Sequence, residues 1–303
     1  MKSLNNSQVF YAFAPTLKPL LTVAQNELFS LDTHDCFAGQ LRSDNDTLND
    51  LDWSNINPAT GPVAIEGVKP GDVVRIDIRK LEVTGKSVMV TIPGAGAISG
   101  VTEASTRVMN NDGALSVSTV KGDLNLPFKP MIGVIGLAPA EGSIPNGTPG
   151  KHGGNMDCNL IGEGASLYLH AAVEGGLFGC GDAHALMGDG EVLVCGAETP
   201  ARVTLSAAVA DVPQLPTPFV ETDELYATIA SAKTSDAAFK QAVDNMFGFL
   251  TGIVGLSQGD AGRLMSLVGC LKFCQVVDPE ITIRFEFPKS ALAKLGFRGI
   301  CGS

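Results

Sequence analysis

Residues 71–83, GDVVRIDIRKLEV, alternate apolar and charged side chains with a period of two, and nothing else in the chain restricts its fold as strongly. Val74, Ile76 and Ile78 fall on one face and Arg75, Asp77 and Arg79 on the other, the pattern of a half-buried strand. The preceding EGVKPGD is turn chemistry, with Pro70 fixing its own φ and Gly71 free to take a conformation that a β-carbon resists. Short apolar runs of the same kind recur as QVFYAF, LLTV, GPVAIEG and SVMVTI up to residue 92, and as MIGVIGLAP, SLYLHAAV, EVLVCG and ARVTLSAAV from residue 131. With 35 glycines, 17 prolines and only 17% charged residues, the chain favours many short strands and turns over long surface helices. Its 303 residues, 45% of them apolar, can bury a sizeable core.

Residues 221–275 change character, with apolar positions three and four apart, and this spacing predicts two helices. Thr234, Ser235 and Asp236 are N-cap candidates for the first, and Ser257 or Asp260 for the second. Cys270 and Cys274 fall one helical turn apart and read as helix packing. EITIRFEF, 280–287, returns to alternation between Pro279 and Pro288 and predicts a strand. The expected fold is mainly β with a smaller α+β C-terminal part, sandwich- or barrel-like, divided into segments 1–130, 131–215 and 216–303.

A formal charge of -11 with no basic patch argues against nucleic acid as a partner. No run approaches the roughly 20 uninterrupted apolar residues that a membrane helix needs. The N-terminal stretch is broken by Pro15 and Pro19 and does not read as a signal peptide. Seven cysteines, an odd number without framework spacing, fit a reducing, cytoplasmic setting. PGAGAISG, 93–100, lacks the Lys-Ser/Thr ending of a phosphate-cradling loop and is expected to be a mobile loop.

The chemistry concentrates in the middle of the chain. GTPGKHGGNMDCNLIGEG, 147–164, holds six glycines, one histidine and one aspartate, and offers little to a core. Of the four histidines, three stand near an aspartate: His34 beside Asp35, His152 five before Asp157, and His184 two after Asp182 with Asp189 and Glu191 following. Asp182 and His184, two apart on extended backbone, point to the same side, and the glycines between His152 and Asp157 let the chain fold back on itself. Imidazole and carboxylate from separate turns are the donors of a catalytic metal. The spacing leaves a solvated loop open as an equal reading. His170, alternating with strand residues, reads as a structural or interface histidine. A Cys-His amidase built on Cys158 is disfavoured, because the adjacent Asp157 would raise the thiol's pKa.

NPATGPVAIEGVKPGDVVRIDI, GVIGLAPAEGSIPNGTPGKHGGNMDC and GGLFGCGDAHALMGDGEV, with THDCFAGQL before them, closely resemble the acetamidase/formamidase family, and the likeness runs over essentially the whole chain. Asp35, Gly39 and Gln40 match one family stretch and Asn57, Pro58, Gly61 and Pro62 another; His152–Asp157 and Gly181–Glu191 carry the two most specific ones. Two positions depart: His170 stands where the family commonly has proline, and Met187 where it has glutamine. The resemblance implies hydrolysis of short aliphatic amides such as formamide or acetamide to carboxylate and ammonia, in a homo-oligomer such as a dimer. It also implies a divalent metal, zinc first and calcium second. On that basis a metal is expected on His152, Asp157, Asp182 and His184, with Asp35 as a further ligand. Glu191 is expected to move the proton, and Asn155 with the backbone of Gly153 and Gly154 to hold the substrate oxygen. Which of Asp35, Asp182 and Glu191 ligates and which transfers protons is left open. So are two rival classes, a non-catalytic metal-stabilised β protein that binds a small ligand and a metal-free cysteine amidase.

Overall fold

In the computed structural model of the chain, which describes residues 1–212 and 214–300, the alternating segment forms the eleven-residue strand Val73–Val83. It pairs antiparallel with Ala201–Ala210 on one side and with Ser166–His170 on the other. Val74, Ile76 and Ile78 face the core as the period demands. Asp77, on the opposite face, is buried too, because Arg79 (2.8 Å) and the Ser166 hydroxyl (2.6 Å) satisfy its carboxylate.

This strand lies inside a nine-stranded sheet whose order is Lys2–Leu4, Phe29–Thr33, Ala201–Ala210, Val73–Val83, Ser166–His170, Phe219–Glu221, Leu225–Ala232, Ile281–Pro288 and Cys270–Gln275. Strands from all three sequence segments therefore interleave in one sheet. A second nine-stranded sheet contains Gly153–Asn155, Met131–Gly136, Phe178–His184, Glu198–Thr199, Ser87–Thr91 and Ser105–Met109 in that order, with Ala59–Ile65 also paired to Phe178–His184. Val203 and Leu205 of the first sheet join Val63, Ile132, Ile135 and Phe178 of the second in one apolar core. The fold is mainly β, and both sheets stay open, so the barrel-like alternative does not hold.

Two α-helices do lie within 221–275, and a third, Lys289–Lys294, follows the last strand. Ser235–Gly248 is capped by Thr234, whose side chain accepts from Ala237 N–H, and Gln258–Val268 by Ser257, which accepts from Asp260 N–H. A π-helical turn, Phe249–Ile253, joins them, and Ala238, Ala242 and Met246 pack against Tyr226, Ile283 and Phe285 of the sheet. The expected strand at 280–287 is Ile281–Pro288.

Two parts of the helical expectation are corrected. Leu225–Ala232 is a strand hydrogen-bonded on both sides, with five consecutive buried residues. Where both faces are covered, the period of two disappears and apolar spacing imitates a helix. Cys270–Gln275 is a strand as well, so Cys270 and Cys274 do not share a helix face; a bulge between Phe273 and Gln275 intervenes, and Cys270 is exposed while Cys274 is buried. The helix stops at Gly269, where a β-carbon would strike the Phe285 ring. The loop at 93–100 is largely exposed but tied down by a 2.8 Å bond from Ala97 N–H to Val192 O. Cys301, the seventh cysteine, lies outside the described residues. Among those described, no helix is long and apolar enough to cross a membrane.

Candidate active site

Asp182 and His184 sit at the end of Phe178–His184, a strand buried along its whole length. Met131–Gly136 runs antiparallel beside it, and a β-carbon on Gly133 would land on the carboxylates of Asp157 and Asp182. Glycine here is the vacancy that the two acids fill. Met156 N–H donates to Gly133 O at 3.1 Å, which fixes the chain just before Asp157. Gly196 does the same for the imidazole, since its β-carbon would strike the His184 ring, and its N–H donates to Glu198 Oε1 at 3.0 Å. Asp157, Asp182 and Glu191 all adopt positive φ (44°, 54° and 46°). Three carboxyl-bearing residues in a region that side chains avoid mark a site that the surrounding fold holds in place.

Four acids converge on one ring nitrogen. His184 Nε2 lies 3.0 Å from Glu198 Oε1, 3.6 Å from Asp182 Oδ1, 3.8 Å from Asp157 Oδ1 and 3.9 Å from Glu191 Oε1, and every one of these side chains is buried. None of the contacts is an aligned hydrogen bond. Both nitrogens of His184, both oxygens of Asp157 and Glu198 Oε2 are left without a partner. Asp278 adds a fifth acid, accepting from Asn155 Nδ2 at 2.9 Å.

Such crowding distorts ionisation. Burial, reinforced by Asp182 and Asp278, pushes the Asp157 carboxyl well above its usual range. Burial and the neighbouring acids raise Glu191 and Asp278 likewise, and Glu198 is pushed up to about 8. Burial disfavours the charged form of Asp182 too, but the imidazole beside it prevails and draws that carboxyl down. Within His184 burial is opposed by Glu198 and Asp182, which hold the ring well above its normal pKa.

The donor atoms form two compact groups, Asp157–His184–Glu191 and Cys36–Asp182–Glu198, each with its atoms within 4.8 Å of one another. Buried carboxyl groups around an imidazole and a thiol, several of their atoms without a partner, suit a divalent cation. Of these donors Glu191, Cys36, Asp182 and Glu198 line a cavity of about 150 Å³, together with Asn155 and Asp278.

Of the residues expected from sequence, the structure thus brings together Asp157, Asp182, His184 and Glu191, with Asn155 on the cavity wall. The others are used elsewhere. Asp35 is buried but turns its Oδ1 to the N–H groups of Phe37 (2.9 Å) and Gly39 (3.1 Å). Gly153 and Gly154 do not line this cavity: their β-carbons would strike Ile135 O and the His152 ring respectively, and Gly153 N–H is bonded to Gly150 O at 3.1 Å. Their glycines serve close packing and leave no oxyanion hole at Gly153. Cys158 is fully buried and also absent from the cavity wall. Its thiol is not raised as expected: burial opposes ionisation, but Cys274 and the Arg284 guanidinium draw it down. Three contributors escaped sequence reasoning, Cys36 of the second donor group among them. Glu198 lies opposite His184 in strand register, and Asp278 arrives from the other end of the chain.

His152 is not brought into either donor group. It is buried edge-on against Phe13, with ring centroids 5.3 Å apart, and borders a different cavity of about 880 Å³ alongside His170 and Thr217. His170 itself bonds Thr217 Oγ1 at 2.6 Å, in keeping with a structural role. Burial pushes the His152 imidazole down to about 4. Below its ordinary value near 6.5 the unfolded chain binds a proton that the folded one refuses, so stability falls as pH drops from about 6.5 towards 4, by up to about 1.4 kcal/mol per unit from this residue. Urea midpoints across that interval should show a shallower slope for His152→Gln than for the parent; equal slopes would refute the assignment.

A model of the acetamidase/formamidase family matches residues 2–145 and 143–215. The crystal structure of a recombinant predicted acetamidase/formamidase from Thermoanaerobacter tengcongensis is 43% identical, with a TM-score of 0.93 over 98% of this chain and 99% of that one. An acetamidase structure from Bacillus halodurans gives 38% identity and a TM-score of 0.93 over 97% of this chain and 100% of that one. The formamidase of Methylophilus methylotrophus is 22% identical over 250 residues, 63% of this chain and 61% of that protein. The match thus spans about three fifths of the curated relative's length.

Proposed function

The chain belongs to the acetamidase/formamidase family, and from that membership we propose that it hydrolyses a short carboxamide to carboxylate and ammonia at the acid cluster around His184. One observation carries the reading: a buried imidazole faced by four carboxyl groups within 4 Å, with no aligned hydrogen bond among them. A cluster built for internal pairing would pair. This one crowds its donors together without aligning them.

The residues fit a divalent cation, with Asp157, His184 and Glu191 or Cys36, Asp182 and Glu198 as its holders. Imidazole and thiol among the donors favour zinc over calcium, which prefers six to eight oxygens. When bound, the ion supplies Lewis acidity and neutralises the excess of buried acid. The chain's own groups do the rest. With the ion on Cys36, Asp182 and Glu198, Glu191 on the cavity wall is free to take a proton from the attacking water and pass it to the amide nitrogen, which leaves as ammonia only once protonated. Asn155 gives one N–H to Asp278 and keeps its second for the substrate oxygen. A cytoplasmic location and a homodimer, which the family resemblance implies, complete the proposal.

Dialysis against a chelator tests the reading. Ammonia release from acetamide should fall at least tenfold and return on adding zinc, while calcium restores less. Full activity in metal-free protein would overturn the metal dependence.

A further inference from the structure

Asp278 reaches the cavity from a turn that one side chain organises. Gln275 ends the edge strand Cys270–Gln275, just past the bulge, and is wholly buried. A side-chain amide has two donor hydrogens and two acceptor lone pairs, and Gln275 uses all four between residues 277 and 282. Its Oε1 accepts from Val277 N–H (2.8 Å) and Asp278 N–H (3.0 Å), and its Nε2 donates to Glu280 O (2.6 Å) and Thr282 Oγ1 (3.1 Å). Val277 and Asp278 lie beyond the last pair of the ladder, Gln275 with Thr282, so their N–H groups depend on this amide. Asp278 stands on the cavity wall and accepts from Asn155 Nδ2 at 2.9 Å. The backbone of Gln275 also forms a parallel bridge with Gly190, the neighbour of Glu191. Gln275 itself does not line the cavity.

Resting on the amidase reading above, we propose that Gln275 is a positioning residue for the reaction: by holding the N–H of Asp278 it aims that carboxyl at Asn155, and through it Asn155 at the substrate oxygen. Without the amide, two N–H groups and a carbonyl of the turn lose their partner and the turn must rearrange to recover one. Asp278 moves with the turn, and Asn155 loses the acceptor that fixes its Nδ2. A displacement of about 1 Å in a group that meets the reacting atoms lowers the rate about 100-fold. The bond from Asn155 strengthens as the oxygen gains charge, so the loss falls on kcat more than on KM.

Ammonia release from formamide and acetamide is measured on metal-loaded parent, Gln275→Met, Asp278→Ala and the double variant. Methionine keeps the volume of the side chain and removes its amide. Gln275→Met is expected to lower kcat roughly 10- to 100-fold with KM within about threefold of the parent. In the Asp278→Ala background the same substitution should lower kcat by less than about twofold, because the group it aims is gone. A glutamine that only stabilises the fold would cost the same factor in both backgrounds. That result, or a kcat for Gln275→Met equal to the parent's, overturns the positioning role and leaves the amidase reading standing. No turnover of either amide by the parent overturns both. If Gln275→Met does not fold, Thr282→Val, which removes one acceptor of the amide, carries the same comparison: a loss of about threefold in the parent and none in Asp278→Ala is expected, and equal losses overturn the role.

Discussion

Replacing His184 by alanine is expected to reduce amide hydrolysis by three orders of magnitude or more and, on the metal site proposed above, to leave the purified protein without a divalent ion. The imidazole is the one group in the cluster that can carry positive charge, and four acids lie within 4 Å of its Nε2. Without it, Asp157, Asp182, Glu191 and Glu198 face one another in a buried space, where leaving charge uncompensated costs about 3–5 kcal/mol. The acids answer by taking up protons, and protonated carboxyls are poor ligands. Metal content by atomic emission and ammonia release are measured on the same preparation. A variant that keeps its metal and its rate would remove His184 from the site.

The second large effect is geometric. Gly133→Ala places a methyl where the Asp157 and Asp182 oxygens now stand, beside backbone that cannot yield. Overpacking of this kind costs about 3 kcal/mol or more, and a displacement of about 1 Å in a catalytic carboxylate lowers kcat/KM by about 100-fold. Gly262→Ala supplies the contrast. That glycine lies within the helix Gln258–Val268 with nothing near its absent β-carbon, so alanine should stabilise by about 1 kcal/mol and leave kcat/KM alone. Thermal unfolding and kinetics on the pair test the claim. If Gly133→Ala is as stable and as active as the parent, the carboxylates are not held as described.

Much of this was legible from residues alone, and what was not has an identifiable cause. The strand Val73–Val83 announced itself because Arg75, Asp77 and Arg79 alternate with Val74, Ile76 and Ile78, and Thr234 and Ser257 announced the helices because a cap needs a side-chain oxygen at one defined position. Leu225–Ala232 hid because it is covered on both faces. Asp182, His184 and Glu191 were visible as a close-spaced group, and Asp157 as the aspartate five after His152 in a glycine-rich stretch. Glu198 was not visible, since its place opposite His184 depends on strand register rather than on distance along the chain. Asp278 was still less so, lying more than ninety positions from His184 in sequence. His152 misled for the opposite reason: glycines at 150 and 154 give its ring a packing slot, not a path to the acids.

The turn that bears Glu191 has its backbone anchored in the far layer: Gly190 N–H donates to Cys274 O at 3.0 Å and Gly190 O accepts from Val276 N–H at 3.1 Å. Asp278 follows two residues later. The family match ends at residue 215, yet Glu191, the acid proposed to move the proton, is tethered to chain about sixty residues further on. A fragment cut after 215 would keep His184 and lose the scaffold that aims Glu191. Catalysis and the C-terminal helices should thus fail together on heating, in one cooperative event rather than two.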